Sequence, residues 1–71
     1  MRVVAQDHEW FVLEVEPGVG RVFDLPRLRL FAPMSLVALM ARGPWSEFVG
    51  DPEFVFEALT NAQEVPPTSC H

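Results

Sequence analysis

Between residues 10 and 25 the sequence alternates with a period of two on both sides of a Pro-Gly step. Phe11, Leu13 and Val15 fall on one face, opposite Trp10, Val12 and Glu14. Successive side chains of an extended chain point to opposite faces, so this is the pattern of a strand laid on a core. In Glu16-Pro17-Gly18-Val19-Gly20, proline stands where a turn wants a fixed φ and glycine where it wants a positive one. Residues 21–25 then return as a second alternating segment, with Phe23 and Leu25 available to the same core. An antiparallel hairpin over residues 10–25 follows.

Around this hairpin the rest of the chain is read by its punctuation. Residues 2–6 form a short apolar strand, and Gln6-Asp7-His8-Glu9 supplies a polar turn. Pro26 interrupts the ladder because it has no amide to donate. Arg27-Leu28-Arg29-Leu30-Phe31 alternates again, which fits a short edge strand and an extended connection equally well. The second half is helical in character. Pro33 suits a first helical turn, residues 34–42 are good helix formers, and Gly43-Pro44 ends them. Asp51-Pro52-Glu53 combines an N-cap side chain, a proline at the first position and an acid at the positive dipole end. That second helix is expected to run to about residue 63, with Phe54, Val55, Ala58, Leu59 and Ala62 as its apolar stripe and Phe56 off it. Pro66-Pro67 stops regular structure. The expectation is one α+β domain over residues 1–65, an N-terminal antiparallel β-meander of three or four strands packed against two C-terminal helices. Residues 66–71 are expected to form a flexible tail.

Size and charge limit what such a domain can do. A chain of 71 residues buries roughly 60% of its surface, near the lower limit for folding alone. With 49% hydrophobic residues it is too apolar for a disordered chain. Five arginines face ten acids, with no lysine, for a net charge of −5. Affinity for a nucleic-acid backbone comes from Lys and Arg displacing counterions, so direct nucleic-acid binding is not expected. A helix-turn-helix is disfavoured as well, because the second helix carries Asp51, Glu53, Glu57 and Glu64 and no base. The longest apolar run, residues 36–41, is far short of a membrane span, and the N-terminal run is too short for a secretory signal. Cys70 has no second cysteine to pair with. Together with a bias toward Val, Leu, Arg and Pro and away from Lys, Ile and Tyr, these features suggest a small bacterial or phage protein of the cytoplasm.

No arrangement of reactive side chains forms a catalytic set, and no enzymatic activity, metal site or cofactor is expected. Cys70 and His71 are neighbours near the terminus, without the held geometry that activation of a thiol needs. His8 and Glu9 lack further ligands at metal spacing. Asp24 lies among apolar residues, either half-buried as an acid of raised pKa or capping the following turn through backbone amides; the structural role is preferred. Arg27 and Arg29 could grip one phosphate or carboxylate, but read more simply as a solvated face. Ser35 and Ser46 have no partner histidine in a known motif, and Gly18 and Gly20 lack the strand–loop–helix frame of a phosphate loop.

Leu13-Glu14-Val15 followed by Gly20-Arg21-Val22-Phe23-Asp24-Leu25 resembles a small bacterial family of single domains without an assigned biochemical function. Its members begin with a strand, a glycine-containing turn and a return strand ending in an aromatic or apolar residue before Asp-Leu. The spacing Trp45-x-x-Phe48-x-x-Asp51-x-x-Phe54 looks like that family's aromatic-rich helical segment. Some members stand alone, some precede a helix-turn-helix domain, and some are encoded beside a suspected toxin. The family's Asp-Gly turn is replaced here by Pro17-Gly18-Val19-Gly20, and its C-terminal Trp-Pro-Asn-Gly strand is reduced to an echo in Thr60-Asn61-Ala62. The resemblance spans less than half the chain and implies a mixed α+β fold with a protein-binding role such as that of an antitoxin.

The apolar surplus supplies the functional expectation. A helix without a polar face is buried all round or shared with a partner, and so small a domain can hardly bury one on every side. Residues 34–41, and Met34, Val37, Met40, Trp45 and Phe56 in particular, are the candidate interface of a homodimer or of a regulator bound to another protein, a basic one if the acidic face takes part. The alternative is a small-molecule-binding domain with Trp10, Phe11 and Phe23 lining an apolar pocket, joined by Trp45.

Overall fold

A computed structural model describes residues 1–66. The Trp10–Glu16 strand (β2) and the Val19–Asp24 strand (β3) form the expected hairpin, with Phe11 opposite Phe23, Val12 opposite Val22 and Leu13 opposite Arg21. Pro17 and Gly18 make its turn, and Gly18 has the positive φ of 79° that the third position of a type II turn demands. A first strand, β1 (Arg2–Asp7), pairs antiparallel with β2. The turn between them is shorter than the sequence suggested: Gln6 and Asp7 stay in the ladder, and His8 at φ 54° with Glu9 closes it. Val4 lies in a bulge of β1 between Val3 and Ala5. Without that extra residue Val3 and Ala5 would share a face; with it Val3 meets Leu13 and Ala5 meets Val12, on opposite sides of the sheet.

The free edge of β3 is taken by one extended segment in two pieces, β4 (Arg29–Leu30) and β5 (Met34–Ser35). Leu30 pairs with Phe23 and Met34 with Gly20, so the register slips by one residue between them. Pro33 lies at the slip, where its missing amide costs no ladder bond. The alternating segment 27–31 thus contributes a true strand at Arg29–Leu30. It is not an edge strand, because β7 (Gln63–Glu64) runs parallel beside it. A short β6 (Ser46–Glu47) covers part of the opposite edge at β1, for the order β6-β1-β2-β3-β4-β7 with β5 on the remaining length of β3.

Two helices complete the α+β fold. The first, α1 (Leu36–Arg42), starts later than expected. Met34 and Ser35 are held in the sheet; the Ser35 hydroxyl accepts from the Ala38 amide as N-cap, and the Leu36 amide donates to the Gly18 carbonyl at 2.9 Å. The second, α2 (Glu53–Leu59), begins one residue later than expected, with Pro52 instead of Asp51 at the N-cap, while Asp51 Oδ1 accepts from the Glu53 amide at 3.0 Å. It ends at Leu59 rather than near residue 63. The Thr60 hydroxyl bonds back to Glu57, residues 60–62 tighten into three-residue hydrogen bonds, and the Gln63 amide turns to Leu28 in the sheet. The proline pair and residues 68–71, expected as a tail, lie at or beyond the limit of the described residues. No helix among the described residues is long and apolar enough to cross a membrane.

The helices pack on opposite faces of the sheet. Phe11, Leu13 and Phe23 are buried with Val55 of α2, flanked by Phe48, Ala58, Leu59 and Ala62. On the other face Ala5 and Val12 are buried with Leu39 of α1, flanked by Val22, Met34, Leu36 and Trp45. Two glycines let α1 approach. A Cβ on Gly20 would stand 2.8 Å from a Leu39 methyl group, and one on Gly43 would stand 2.1 Å from the Trp45 ring. The Trp45 indole N–H donates to the Leu39 carbonyl at 2.8 Å, satisfying one of the orphan carbonyls of the last helical turn. Gly43→Ala should therefore expel the indole from its seat. We expect a loss of about 1–3 kcal/mol of stability, the usual cost of overpacking, in urea titration. In a Trp10→Phe background, tryptophan emission should shift to the red.

Candidate binding face

The expected interface residues separate into two groups. Met34, Val37, Met40 and Trp45 gather on and around α1, with Val37 78% and Met40 41% exposed and the other two half-buried. Phe56 belongs to α2, beyond the sheet, half-buried in a hollow of about 410 Å³ with Met1, Leu59 and Thr60. The structure does not bring it to the α1 surface. Outward along α1, Val37, Ala38, Met40 and Ala41 are all exposed and apolar, and Arg42 is the first charge.

Of the expected pocket residues, Trp10 and Trp45 line one groove, and Phe11 and Phe23 do not. Phe11 and Phe23 lie in the core beneath α2, and Phe11 packs edge-on against Phe48 at 5.9 Å and Phe54 at 5.8 Å. Trp10 points to the other face, because it is one residue from Phe11 in an extended strand. There it is 37% exposed and stacks on Phe31, ring centroids 5.5 Å apart and planes 18° from parallel. Trp10 and Phe31 line a groove of about 280 Å³ together with Trp45, Met34, Val22, Leu39 and Arg42. Phe31 and Arg42 were missed as groove residues. The signal for Phe31 was its alternation with Leu30, but assigning it a face required the register across Pro26.

Asp24 is buried, with 1% of its surface exposed, and its bond comes from a side chain rather than from backbone amides. Arg27 Nη1 donates to Oδ2 at 3.2 Å, while Oδ1 has no hydrogen-bond partner among the described residues. The arginine pair is thus divided, with Arg27 serving the buried carboxylate and Arg29 exposed. The turn that returns Arg27 to Asp24 places Leu28 at φ 52°, a left-handed conformation a bulky residue rarely adopts. Ser35 caps α1, and Ser46 lies in β6. His8 is exposed at its turn, and no group of three His, Cys, Asp or Glu side chains converges on a metal position among the described residues. Cys70 and His71 lie outside those residues.

Of the other arginines, Arg2 bonds Glu14 at 2.6 Å and Arg21 bonds Glu64 at 3.0 Å. Arg29 and Arg42 have no acidic partner among the described residues. The Arg2 guanidinium, and then the Gly18 amide, hold the Glu14 carboxyl below its usual range. A depressed carboxylate stabilises the fold fully above its unfolded pKa, about 4.3, and loses that contribution as pH falls through the lower native value. Arg2→Gln should flatten the acid side of the stability–pH curve in that window, as read by thermal melts. Arg27→Ala should leave Asp24 buried without a donor. Allowing for the largely exposed arginine, we expect a loss of about 1–3 kcal/mol in denaturant titration, recovered in part by adding Asp24→Asn. Comparison with protein-family models, with curated proteins and with solved structures finds no match to this chain.

Proposed function

We propose that this chain is a non-enzymatic protein-interaction module that pairs with a second copy through the outward side of α1. The observation that carries the reading is the uncharged exposed surface of Val37, Ala38, Met40 and Ala41 on a helix whose opposite side already holds the core. Two copies of a chain with net charge −5 repel one another least where no acids are brought together at the contact. The α1 surface meets that condition. The α2 surface, with Glu53 and Glu57 exposed, does not. A two-fold pair sets the same patch against itself, so an apolar stripe without charges is self-complementary. Phe56, on the far side of the sheet, has no part in this contact.

The acids left outside the interface suit a basic protein as a further partner, and the resemblance of the β2–β3 hairpin to a family encoded beside suspected toxins supports a regulatory, antitoxin-like setting in a bacterial cytoplasm. The test is sedimentation over a range of concentrations. The native chain should reach a dimer in the micromolar range, and Val37→Glu should stay monomeric with an unchanged circular dichroism spectrum. A native chain that stays monomeric at millimolar concentration would overturn the reading.

A further inference from the structure

The groove beside α1 has a character separate from that of the helix's outer surface. Its walls are aromatic and held in place before anything binds. Trp10 and Phe31 fix one another by stacking, and Trp45 is held by its bond to the Leu39 carbonyl and by its seat over Gly43. A site that needs no side-chain ordering keeps more of its contact energy as affinity. Because the Trp45 N–H is already used, that indole asks for no acceptor from a ligand. Among the described residues Arg42, at the C-terminal end of α1, is the groove's only charged lining residue and has no carboxylate partner. Its volume of about 280 Å³ lies just below the usual small-molecule range, which suits a ligand of one or two rings.

From this arrangement we infer that the groove binds a small planar aromatic carboxylate, its ring lying against Trp10, Phe31 and Trp45 and its carboxylate on the Arg42 guanidinium. Aromatic rings add directional stacking to apolar burial, and a guanidinium offers a carboxylate two parallel donors. A neutral aromatic would leave the cation unanswered, and an aliphatic acid would forgo the stacking. The inference goes beyond the pairing through α1 and does not depend on it, since the groove is lined within one chain.

Naphthoate is a suitable probe, followed by calorimetry and by the two indole N–H signals in NMR spectra of the full chain. Saturable binding that shifts both indole signals is expected, with naphthamide, the neutral counterpart, about tenfold weaker or more, the factor a charge-assisted hydrogen bond supplies. Arg42→Met, at an exposed helix end, should weaken naphthoate by the same factor and leave naphthamide unchanged. Val37→Glu should bind naphthoate like the native chain whether or not that chain dimerises, which separates failure of the groove from failure of the dimer. Absence of saturation, equal affinity for acid and amide, or indifference to Arg42→Met would each overturn the inference.

Discussion

Three consecutive residues of β2, Phe11, Val12 and Leu13, are buried. In an extended strand neighbours point in opposite directions, so this run requires cover on both faces of the sheet at once. The chain supplies one helix of seven residues to each face, each only about 10 Å long. Much else follows from this shortage of cover. Gly20 is bare so that Leu36 and Leu39 can come down onto β3, and Gly43 is bare so that Trp45 can extend the cover past the end of α1. Phe48 does the same on the other face, reaching the core from outside a helix. Where neither helix reaches, apolar surface of the sheet stays open, as at Trp10, and α1 itself leaves Val37 and Met40 uncovered on its outward side.

The parts of this fold legible in the sequence were those decided by local chemistry. Pro17-Gly18 dictated its turn, period-two alternation placed Phe11, Leu13 and Phe23 together, and Asp51-Pro52-Glu53 marked a helix start. What escaped was decided by partners distant in sequence. Met34 and Ser35 read as helix, yet Val19 and Gly20 across the sheet hold them extended. Residues 60–63 continue a helical stripe, yet the carbonyl of Leu28 draws the Gln63 amide into a parallel pair. Burial of Val12 on the second face was hidden because alternation predicts which residues share a side, not whether that side is covered. Grouping Trp10 with Phe11 and Phe23 in one pocket ran against the alternation itself, which places Trp10 on the opposite face of the strand. The apolar character of residues 36–41 was legible in the sequence, whereas the groove beside them depended on a register that no turn signal specified.

Asp24 shows a buried charge retained in a small core. Its burial and the Oδ1 that has no partner among the described residues oppose stability, and among those residues a single donor, from a largely exposed arginine, offsets them. The left-handed Leu28 adds to the cost and is part of the geometry that brings Arg27 back over the strand end. Such pairs are weak sources of stability, but their loss is costly because the remaining charge is stranded. An apolar residue at position 24 would relieve the charge and remove the link between β3 and its turn.

The short strands β6 and β7 carry a consequence for the order in which the chain is made. The meander is built entirely from residues 2–35, and both of its outer strands are met by pieces from the C-terminal half, Ser46–Glu47 at β1 and Gln63–Glu64 at β4. A chain emerging from the ribosome therefore presents a sheet with two bare edges for as long as the second half is missing, and unpaired edges are templates for strands of other molecules. The C-terminal half acts as a pair of edge guards as well as a lid, and the interval before it arrives is when the sheet is most adhesive toward its own kind.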